Sequence, residues 1–163
     1  MLKPKAIAIT QGDSAGIGPE IIAKAFRDAP QVMQACFVVG DVATMRRGAK
    51  AICQAGDSAL PVAVIDSPDD VVNVPPRCMP VLQLPGIPGP APWGVVSADA
   101  GRAAALSVQW AARAALRAEV AALVTAPLHK EALHAAGVDY PGHTELLQAE
   151  AAQHVGVAVD EMP

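Results

Sequence analysis

Short apolar runs alternate with segments of helical periodicity along this chain, and that alternation restricts the folds it can adopt. The predicted strands are residues 6–10, 37–39, 62–65, 81–84 and 121–124, the last expected to be buried. The predicted helices are residues 19–26, 42–55 and 98–118, the third capped by Ser97. Strands separated by helices pair in parallel, because each helix returns the chain to the same end of the sheet. The sequence therefore predicts a layered α/β fold with a largely parallel sheet.

Prolines are concentrated in one part of the chain. Seven of the fifteen prolines lie between Pro75 and Pro92. Proline lacks an amide donor and its ring clashes with the preceding turn, so this stretch cannot be helical. We expect residues 75–92 to be an extended connector or an edge strand, where the chain passes between two lobes.

Charge and hydropathy exclude several classes of function. The net charge is −4, and no group of basic residues exceeds Arg46-Arg47, so a nucleic-acid-binding surface is not expected. No apolar run approaches the roughly 20 residues that cross a bilayer. The apolar run after Lys5 is shorter than the core of a signal peptide, which has about 7–15 residues. The sequence thus predicts a cytoplasmic protein without membrane or nucleic-acid partners.

The three cysteines do not form a recognisable site. Cys36, Cys53 and Cys78 are odd in number, and no two of them have the spacing of a metal site. Because Cys36 adjoins a predicted strand, we expect it to be a buried, reduced thiol.

A glycine-rich loop, Gln11-Gly12-Asp13-Ser14-Ala15-Gly16-Ile17-Gly18-Pro19-Glu20, follows the first predicted strand. It lacks the lysine of a phosphate-binding P-loop, and Ile21 stands where the dinucleotide fingerprint needs a third small residue. Asp41, after the second strand, stays a candidate ribose ligand only if a dinucleotide binds here. The favoured interpretation is a loop that glycine permits, with Gly18-Pro19 starting a helix.

Two motifs follow the last predicted strand: Thr125-Ala126-Pro127-Leu128-His129-Lys130 and Pro141-Gly142-His143-Thr144-Glu145. Pro127 is expected to open a helix, and Thr144 is expected to be the N-cap of the next. A helix start with an imidazole and a hydroxyl beside it suits an anion, and Lys130 would add charge if it points the same way. A solvated histidine and an ordinary cap are the alternatives, so the spacing alone indicates a possible anion site.

These segments resemble the 4-hydroxythreonine-4-phosphate dehydrogenase family in their order and spacing. The glycine loop is also similar to that of isopropylmalate and isocitrate dehydrogenases, whose fold the family shares. The resemblance extends over essentially the whole chain but over only about the first half of a typical member. It implies a three-layer α/β/α fold, with residues 1–163 as the N-terminal portion of a two-lobed subunit that forms a homodimer.

The resemblance also implies an activity. The family oxidises 4-phosphohydroxy-L-threonine with NAD, and the resulting keto acid then loses carbon dioxide, in the biosynthesis of pyridoxal 5'-phosphate. A divalent metal (Zn, Mg or Co) acts as the Lewis acid. His143 and Thr144 match the family's substrate-contacting pair, and Lys130 matches the lysine of its Thr-x-Pro-x-x-Lys motif.

The family's three metal-binding histidines are expected beyond residue 163. His129, His134 and His154 do not match them, so no metal ligand is expected in this chain, and the chain alone is expected to be inactive. Two alternatives remain. One is a related dehydrogenase for another phosphorylated four-carbon hydroxy acid, and the other is a non-catalytic α/β module that binds an anion.

Overall fold

The computed structural model describes residues 4–162, which form one five-stranded parallel sheet with helices on both faces. The strands are β1 (Ile7–Thr10), β2 (Cys36–Gly40), β3 (Val62–Ile65), β4 (Met79–Gln83) and β5 (Ala122–Thr125). The helices are α1 (Gly18–Asp28), α2 (Pro30–Met33), α3 (Val42–Ala51), α4 (Ala98–Leu116), α5 (Lys130–Ala135) and α6 (His143–Val155), with 3-10 helices at Pro68–Asn73 and Val159–Glu161. The strand order is β3-β4-β2-β1-β5, and every pair is parallel. The predicted α/β fold is confirmed.

Alternate residues of the strands build two separate cores. Val38 and Val81 point to the face that α1 and α3 cover. Phe37 and Val39 point to the opposite face, against α4. The α5 and α6 helices pack on the outer side of α4, where Leu133 is fully buried. The predicted three-layer α/β/α arrangement follows from this alternation.

Helix α4 confirms the predicted cap. The Ser97 hydroxyl accepts a hydrogen bond from the Ala100 amide (3.2 Å) at its start. Leu106 and Trp110 pack into the same core, and the Trp110 ring meets Phe37 edge-on with ring centroids 6.1 Å apart. Within residues 4–162, no helix is both long and apolar enough to span a membrane.

Helix α3 ends earlier than predicted. Its last residue is Ala51, not residue 55, and the chain turns at Gly56, whose φ is +92°. Ile52 follows the helix and is buried in the core that α1 and α3 form. Because Ile52 is apolar, it fits the pattern of the helix, and the predicted helix therefore ran past the true end.

The proline-rich stretch contains an interior strand, so the expectation of an edge strand or extended connector is wrong for part of it. Residues 79–83 form β4, which lies between β3 and β2. The boundary between two lobes that we predicted at residues 75–92 stays a prediction.

The position of Pro80 explains how an interior strand tolerates a proline. The Leu84 amide donates to the Gly40 carbonyl (3.2 Å) on the β2 side. Because amides alternate sides along a strand, the missing amide of Pro80 also faces β2, but pairing with β2 begins only at Val81. The missing donor therefore falls at the start of the β2–β4 ladder and interrupts none of the pairs from Val81 to Gln83.

The strand predicted at residues 121–124 is confirmed, but the prediction that it is buried is wrong. These residues lie mainly in β5, an edge strand that pairs only with β1 among the described residues. Ala122 is exposed, and Val124 has 51% of its surface accessible. An apolar composition alone does not say whether a strand has neighbours on both sides.

Candidate functional site

The carboxyl ends of β1 and β5 meet at one edge of the sheet, because parallel pairing places the loops that follow them side by side. The Ala126 amide donates to the Thr10 hydroxyl (3.3 Å), and the Asp13 amide donates to the Pro127 carbonyl (2.9 Å). The glycine loop after β1 is thus fastened to the first of the two later motifs.

Two glycines make this close approach possible. Gly12 has φ of +71°, and a Cβ atom there would overlap the Pro127 carbonyl oxygen. A Cβ on Gly18 would lie 2.6 Å from the Gln11 carbonyl oxygen. Helix α1 begins at Gly18, as predicted. The loop glycines therefore serve packing between backbone segments.

Asp41 is occupied as a helix cap. Its carboxylate accepts a hydrogen bond from the Thr44 amide (2.7 Å) at the start of α3, and only 7% of its surface is accessible. Capping of α3 therefore explains why an acidic residue stands at the end of β2, and no bound ribose is needed to explain it.

His143 contacts the end of β5. It is the first residue of α6, and its Nε2 lies 3.1 Å from the Ala126 carbonyl oxygen. A carbonyl oxygen can only accept a hydrogen bond, so Nε2 carries the proton and Nδ1 is left for a ligand. The predicted site histidine and the strand end are therefore joined directly.

Thr144 is not the N-cap of α6, so that prediction is wrong. Gly142 takes this position in an extended conformation, and its carbonyl accepts the first helical hydrogen bond from the Leu146 amide (3.3 Å). Thr144 is instead the second helical residue, with an exposed side chain. Its hydroxyl lies in the first turn, beside the amides that an anion would contact.

Helix α5 begins at Lys130, with His129 as its N-cap, and not at Pro127 as predicted. The Pro127 carbonyl accepts from Asp13, which fastens that residue outside the helix. Lys130 is exposed and lines an open cavity of about 490 Å³ together with His134 and Tyr140. Neither His143 nor Thr144 lines that cavity. Lys130 therefore lines a cavity that these two residues do not share.

A buried polar cluster at the same end of the sheet was not foreseen from the sequence. Its side-chain atoms without a hydrogen-bond partner are Gln11 Nε2, Ser14 Oγ, Thr44 Oγ1 and Arg47 Nε. Gln11 also accepts from the Asp41 amide (2.6 Å) through Oε1. No motif marks this cluster, because its members come from the glycine loop and from α3.

Arg47 ties three segments together at this cluster. Its guanidinium donates to the carbonyls of Ala91 (2.6 Å) and Ser14, and it lies 4.0 Å from the centre of the Trp93 ring. Burial lowers the pKa of Arg47, and the Asp41 carboxylate partly opposes that shift. The proline-rich segment is thereby held against the glycine loop.

Histidines and cysteines are dispersed across the described chain. His134 lies within α5 and His154 in the last turn of α6. In residues 4–162, no three or more His, Cys, Asp or Glu residues are grouped so that they could hold a metal ion. Cys36 is buried as predicted, and burial raises the pKa of its thiol.

Comparison with known proteins gives the family. The pyridoxal phosphate biosynthetic protein PdxA family matches residues 32–160, which include both later motifs. A 4-hydroxythreonine-4-phosphate dehydrogenase of Trichlorobacter lovleyi is 42% identical over 148 residues, 89% of this chain and 42% of that protein. A D-threonate 4-phosphate dehydrogenase of Pectobacterium atrosepticum is 42% identical over 143 residues, 88% of this chain and 43% of that protein.

A solved structure agrees with this assignment. The crystal structure of a 4-hydroxythreonine-4-phosphate dehydrogenase from Klebsiella pneumoniae superposes with a TM-score of 0.79 at 40% identity, over 91% of this chain and 45% of that one. The chain spans less than half the length of these relatives. The family match over residues 32–160 and these relatives show that the chain belongs to the pyridoxal phosphate biosynthetic protein PdxA family.

Proposed function

We propose that this chain carries part of the substrate site of an NAD-dependent dehydrogenase for a phosphorylated four-carbon hydroxy acid. The preferred substrate is 4-phosphohydroxy-L-threonine, oxidised and then decarboxylated on the route to pyridoxal 5'-phosphate. The observation that carries the proposal is the position of His143, the first residue of α6, against the carbonyl at the end of β5.

The chemistry of this site is binding and orientation. Amides in the first turn of α6 and the Thr144 hydroxyl are groups that can donate to phosphate or carboxylate oxygens. Nδ1 of His143 is an acceptor when Nε2 holds the proton, so it can accept a hydrogen bond from a substrate hydroxyl. The hydrogen bond from Nε2 to Ala126 fixes the ring, so its free nitrogen keeps one direction. Lys130, on the neighbouring cavity, is proposed to add positive charge at the margin of the same cleft.

NAD and a divalent metal are proposed to act in the longer protein. The described residues offer no cluster for a metal, and its ligands are proposed to belong to the part of the family's length outside this sequence. When bound, the metal would polarise the substrate alcohol as a Lewis acid. In the same proposal the assembled protein is a cytoplasmic homodimer.

A second substrate has a specific observation in its favour. The Pectobacterium atrosepticum relative, named as a D-threonate 4-phosphate dehydrogenase, has the same identity to this chain as the Trichlorobacter lovleyi relative. D-threonate 4-phosphate has a hydroxyl where 4-phosphohydroxy-L-threonine has an amine. The two ligands share the phosphate and the adjacent carbon chain, which His143 and Thr144 are proposed to contact.

Calorimetric titration of the chain with each compound tests the proposal. We expect both ligands to bind, because the proposed contacts are common to both, and we expect no NADH when NAD and Mg²⁺ or Zn²⁺ are added. Binding of neither ligand would contradict the proposed site. Steady NADH formation would contradict the proposal that the metal ligands lie outside this sequence. The kcat/KM ratio for the two substrates, measured on this chain joined to the unmatched part of a relative, then identifies the preferred substrate.

A further inference from the structure

Four buried side-chain atoms of the polar cluster between the glycine loop and α3 have no hydrogen-bond partner among residues 4–162. They are Gln11 Nε2, Ser14 Oγ, Thr44 Oγ1 and Arg47 Nε. Gln11, Ser14 and Thr44 have no accessible surface. An unpaired buried donor or acceptor weakens folding by roughly 5- to 100-fold, and nearly all such groups in folded proteins are paired. Four such atoms in one cluster therefore require a partner other than a protein atom.

Contacts within the protein hold these four side chains together. Arg47 donates to the Ser14 carbonyl, and Thr44 lies one turn before Arg47 on the same side of α3. Gln11 Oε1 accepts from the Asp41 amide (2.6 Å), and the Asp41 carboxylate accepts from the Thr44 amide (2.7 Å). Both residues of the glycine loop are thus fastened beside the first turns of α3.

Neighbouring residues enclose the cluster. A Cβ atom on Gly40 would overlap Gln11 Oε1, so this glycine leaves the space that the amide group occupies. Arg47 donates to the Ala91 carbonyl (2.6 Å), and its guanidinium lies 4.0 Å from the centre of the Trp93 ring. The proline-rich segment therefore covers the cluster, and a small molecule held inside would exchange slowly with the solvent.

The four atoms define the hydrogen-bonding character of their partner. Because the Asp41 amide can only donate, Gln11 Oε1 is the acceptor and Nε2 keeps its N–H donors. Arg47 Nε is also a donor, whereas the hydroxyls of Ser14 and Thr44 can accept. A water molecule has two lone pairs and two protons, so it matches two donors and two acceptors.

The charges of the cluster disfavour an ion. Burial lowers the pKa of Arg47, and the Asp41 carboxylate opposes that shift, so the cation already has a negative neighbour. An anion would add a further buried negative charge next to Asp41, which is only 7% accessible. A cation would meet the N–H groups of Gln11 and Arg47. A neutral molecule of the size of water is therefore the ligand that fits.

We propose that one internal water molecule binds in this cluster and joins the glycine loop to α3. The water accepts from Gln11 Nε2 and Arg47 Nε and donates to the hydroxyls of Ser14 and Thr44, with at least three of these four hydrogen bonds formed.

This water would help to position the candidate site. Asp13, next to Ser14 in the glycine loop, donates its amide to the Pro127 carbonyl (2.9 Å). Pro127 follows Ala126, whose carbonyl contacts His143. The water would thus fix the loop to which the end of β5 is fastened. Its binding requires neither substrate nor activity, so it can be tested apart from the proposed function.

A high-resolution crystal structure of this chain tests the site directly. We expect electron density for one water molecule within about 3.2 Å of at least three of the four atoms. A second crystal, soaked in sodium bromide, distinguishes water from an anion because bromide scatters anomalously. We expect no anomalous peak at the cluster.

A matched pair of variants tests the site in solution. The double substitution Ser14→Ala with Thr44→Val removes both hydroxyls. Ser107→Ala is the control, because Ser107 is equally buried but its hydroxyl donates to the Ala103 carbonyl (2.8 Å) within α4. Magnetic relaxation dispersion of the water oxygen nucleus measures how long internal waters stay bound. We expect the double substitution to shorten the residence time of one water by about tenfold or more, because two of its four hydrogen bonds are lost.

Relaxation in Ser107→Ala should match that of the unchanged chain, and circular dichroism establishes that both variants remain folded. Three results would overturn the proposal. The first is a crystal structure in which the four atoms pair directly with protein groups or have no water density beside them. The second is a bromide peak at the cluster. The third is an unchanged residence time in the folded double variant.

Discussion

At the scale of single residues, Gly12 is the position where the site depends most on a missing side chain. Its φ of +71° and its contact with the Pro127 carbonyl oppose any Cβ atom. Gly86 has nearly the same φ, +68°, but a Cβ atom there would have no neighbour within 4 Å. Comparing alanine substitutions at the two glycines separates the cost of a positive φ from the cost of a collision with the Pro127 carbonyl.

We expect Gly86→Ala to destabilise the fold by about 1–2 kcal/mol, the cost of a left-handed residue with a side chain. Gly12→Ala should cost about 1–3 kcal/mol more, because the loop after β1 must also move away from Pro127. Urea denaturation of both variants measures the difference. Equal losses would show that the contact between Gly12 and Pro127 does not constrain the loop.

Residue-level prediction from the sequence succeeded where one residue type has one dominant role. Ser97 was predicted to cap α4 and does so through its hydroxyl. The same reasoning failed at Thr144, because Gly142, two positions earlier, meets the extended geometry that an N-cap requires. Choosing between neighbouring cap candidates needs the direction of the incoming chain, which local sequence does not contain.

At the scale of elements, one ion pair fixes α6 on α4. Arg113 makes a two-pronged contact with Glu150, at 2.6 and 2.9 Å, and Glu150 is only 6% accessible. The hydrogen bond with Glu150 raises the pKa of Arg113. Because α6 carries His143, this pair helps set the position of the site.

We expect Arg113→Met to lower the free energy of unfolding by about 1–3 kcal/mol, because it leaves the buried Glu150 carboxylate without its partner. Arg102→Met is the control on the same helix. Arg102 pairs with Asp99 at 3.5 Å, and both side chains are exposed, so the expected change is below about 0.5 kcal/mol. Thermal unfolding of the two variants measures this, and similar losses would contradict the assigned role of Arg113.

Arg47 joins the proline-rich segment to the glycine loop, as Arg113 joins α4 to α6. We expect Arg47→Met to loosen the proline-rich segment from the glycine loop, at a cost of about 1–3 kcal/mol from the lost hydrogen bonds and ring contact. Chymotrypsin should then cut after Trp93 faster than in the unchanged chain. Arg46→Met, at an exposed neighbouring position, should leave the cleavage rate unchanged. An unaffected rate in Arg47→Met would show that Arg47 does not hold the segment.

The sequence predicted that most of the strands and helices exist, but it did not predict which strands lie side by side in the sheet. Runs such as 37–39 and 62–65 have the apolar composition of strands and form β2 and β3. The proline content of 75–92 suggested an edge, although β4 lies inside the sheet, and the apolar run 121–124 suggested an interior strand, although β5 lies at an edge. Both errors concern lateral position, which depends on pairing between distant segments.

At the scale of the whole molecule, the sheet order brings the separate motifs together. The β1 strand lies between β2 and β5, so the glycine loop meets the segment after β5 although more than 100 residues separate Thr10 from Ala126. The sequence predicts a possible anion site at the two motifs after β5, whereas the glycine loop is interpreted there as a loop that glycine permits. Lys130 lines an open cavity with His134 and Tyr140, and its place in the substrate site stays a prediction.

We propose that His143, held by the carbonyl at the end of β5, binds the phosphorylated hydroxy acid. The most direct test is titration of the chain with 4-phosphohydroxy-L-threonine while the imidazole nitrogens are followed by NMR. We predict that Nδ1 of His143 shifts and Nε2 keeps its proton. We also predict that His143→Ala weakens binding by about tenfold or more, with only the loss of about 0.5–1.5 kcal/mol of stability that one hydrogen bond accounts for. His154→Ala, at the far end of α6, should leave binding unchanged. An unperturbed His143 ring at saturating ligand, with equal affinity in His143→Ala, would contradict the claim.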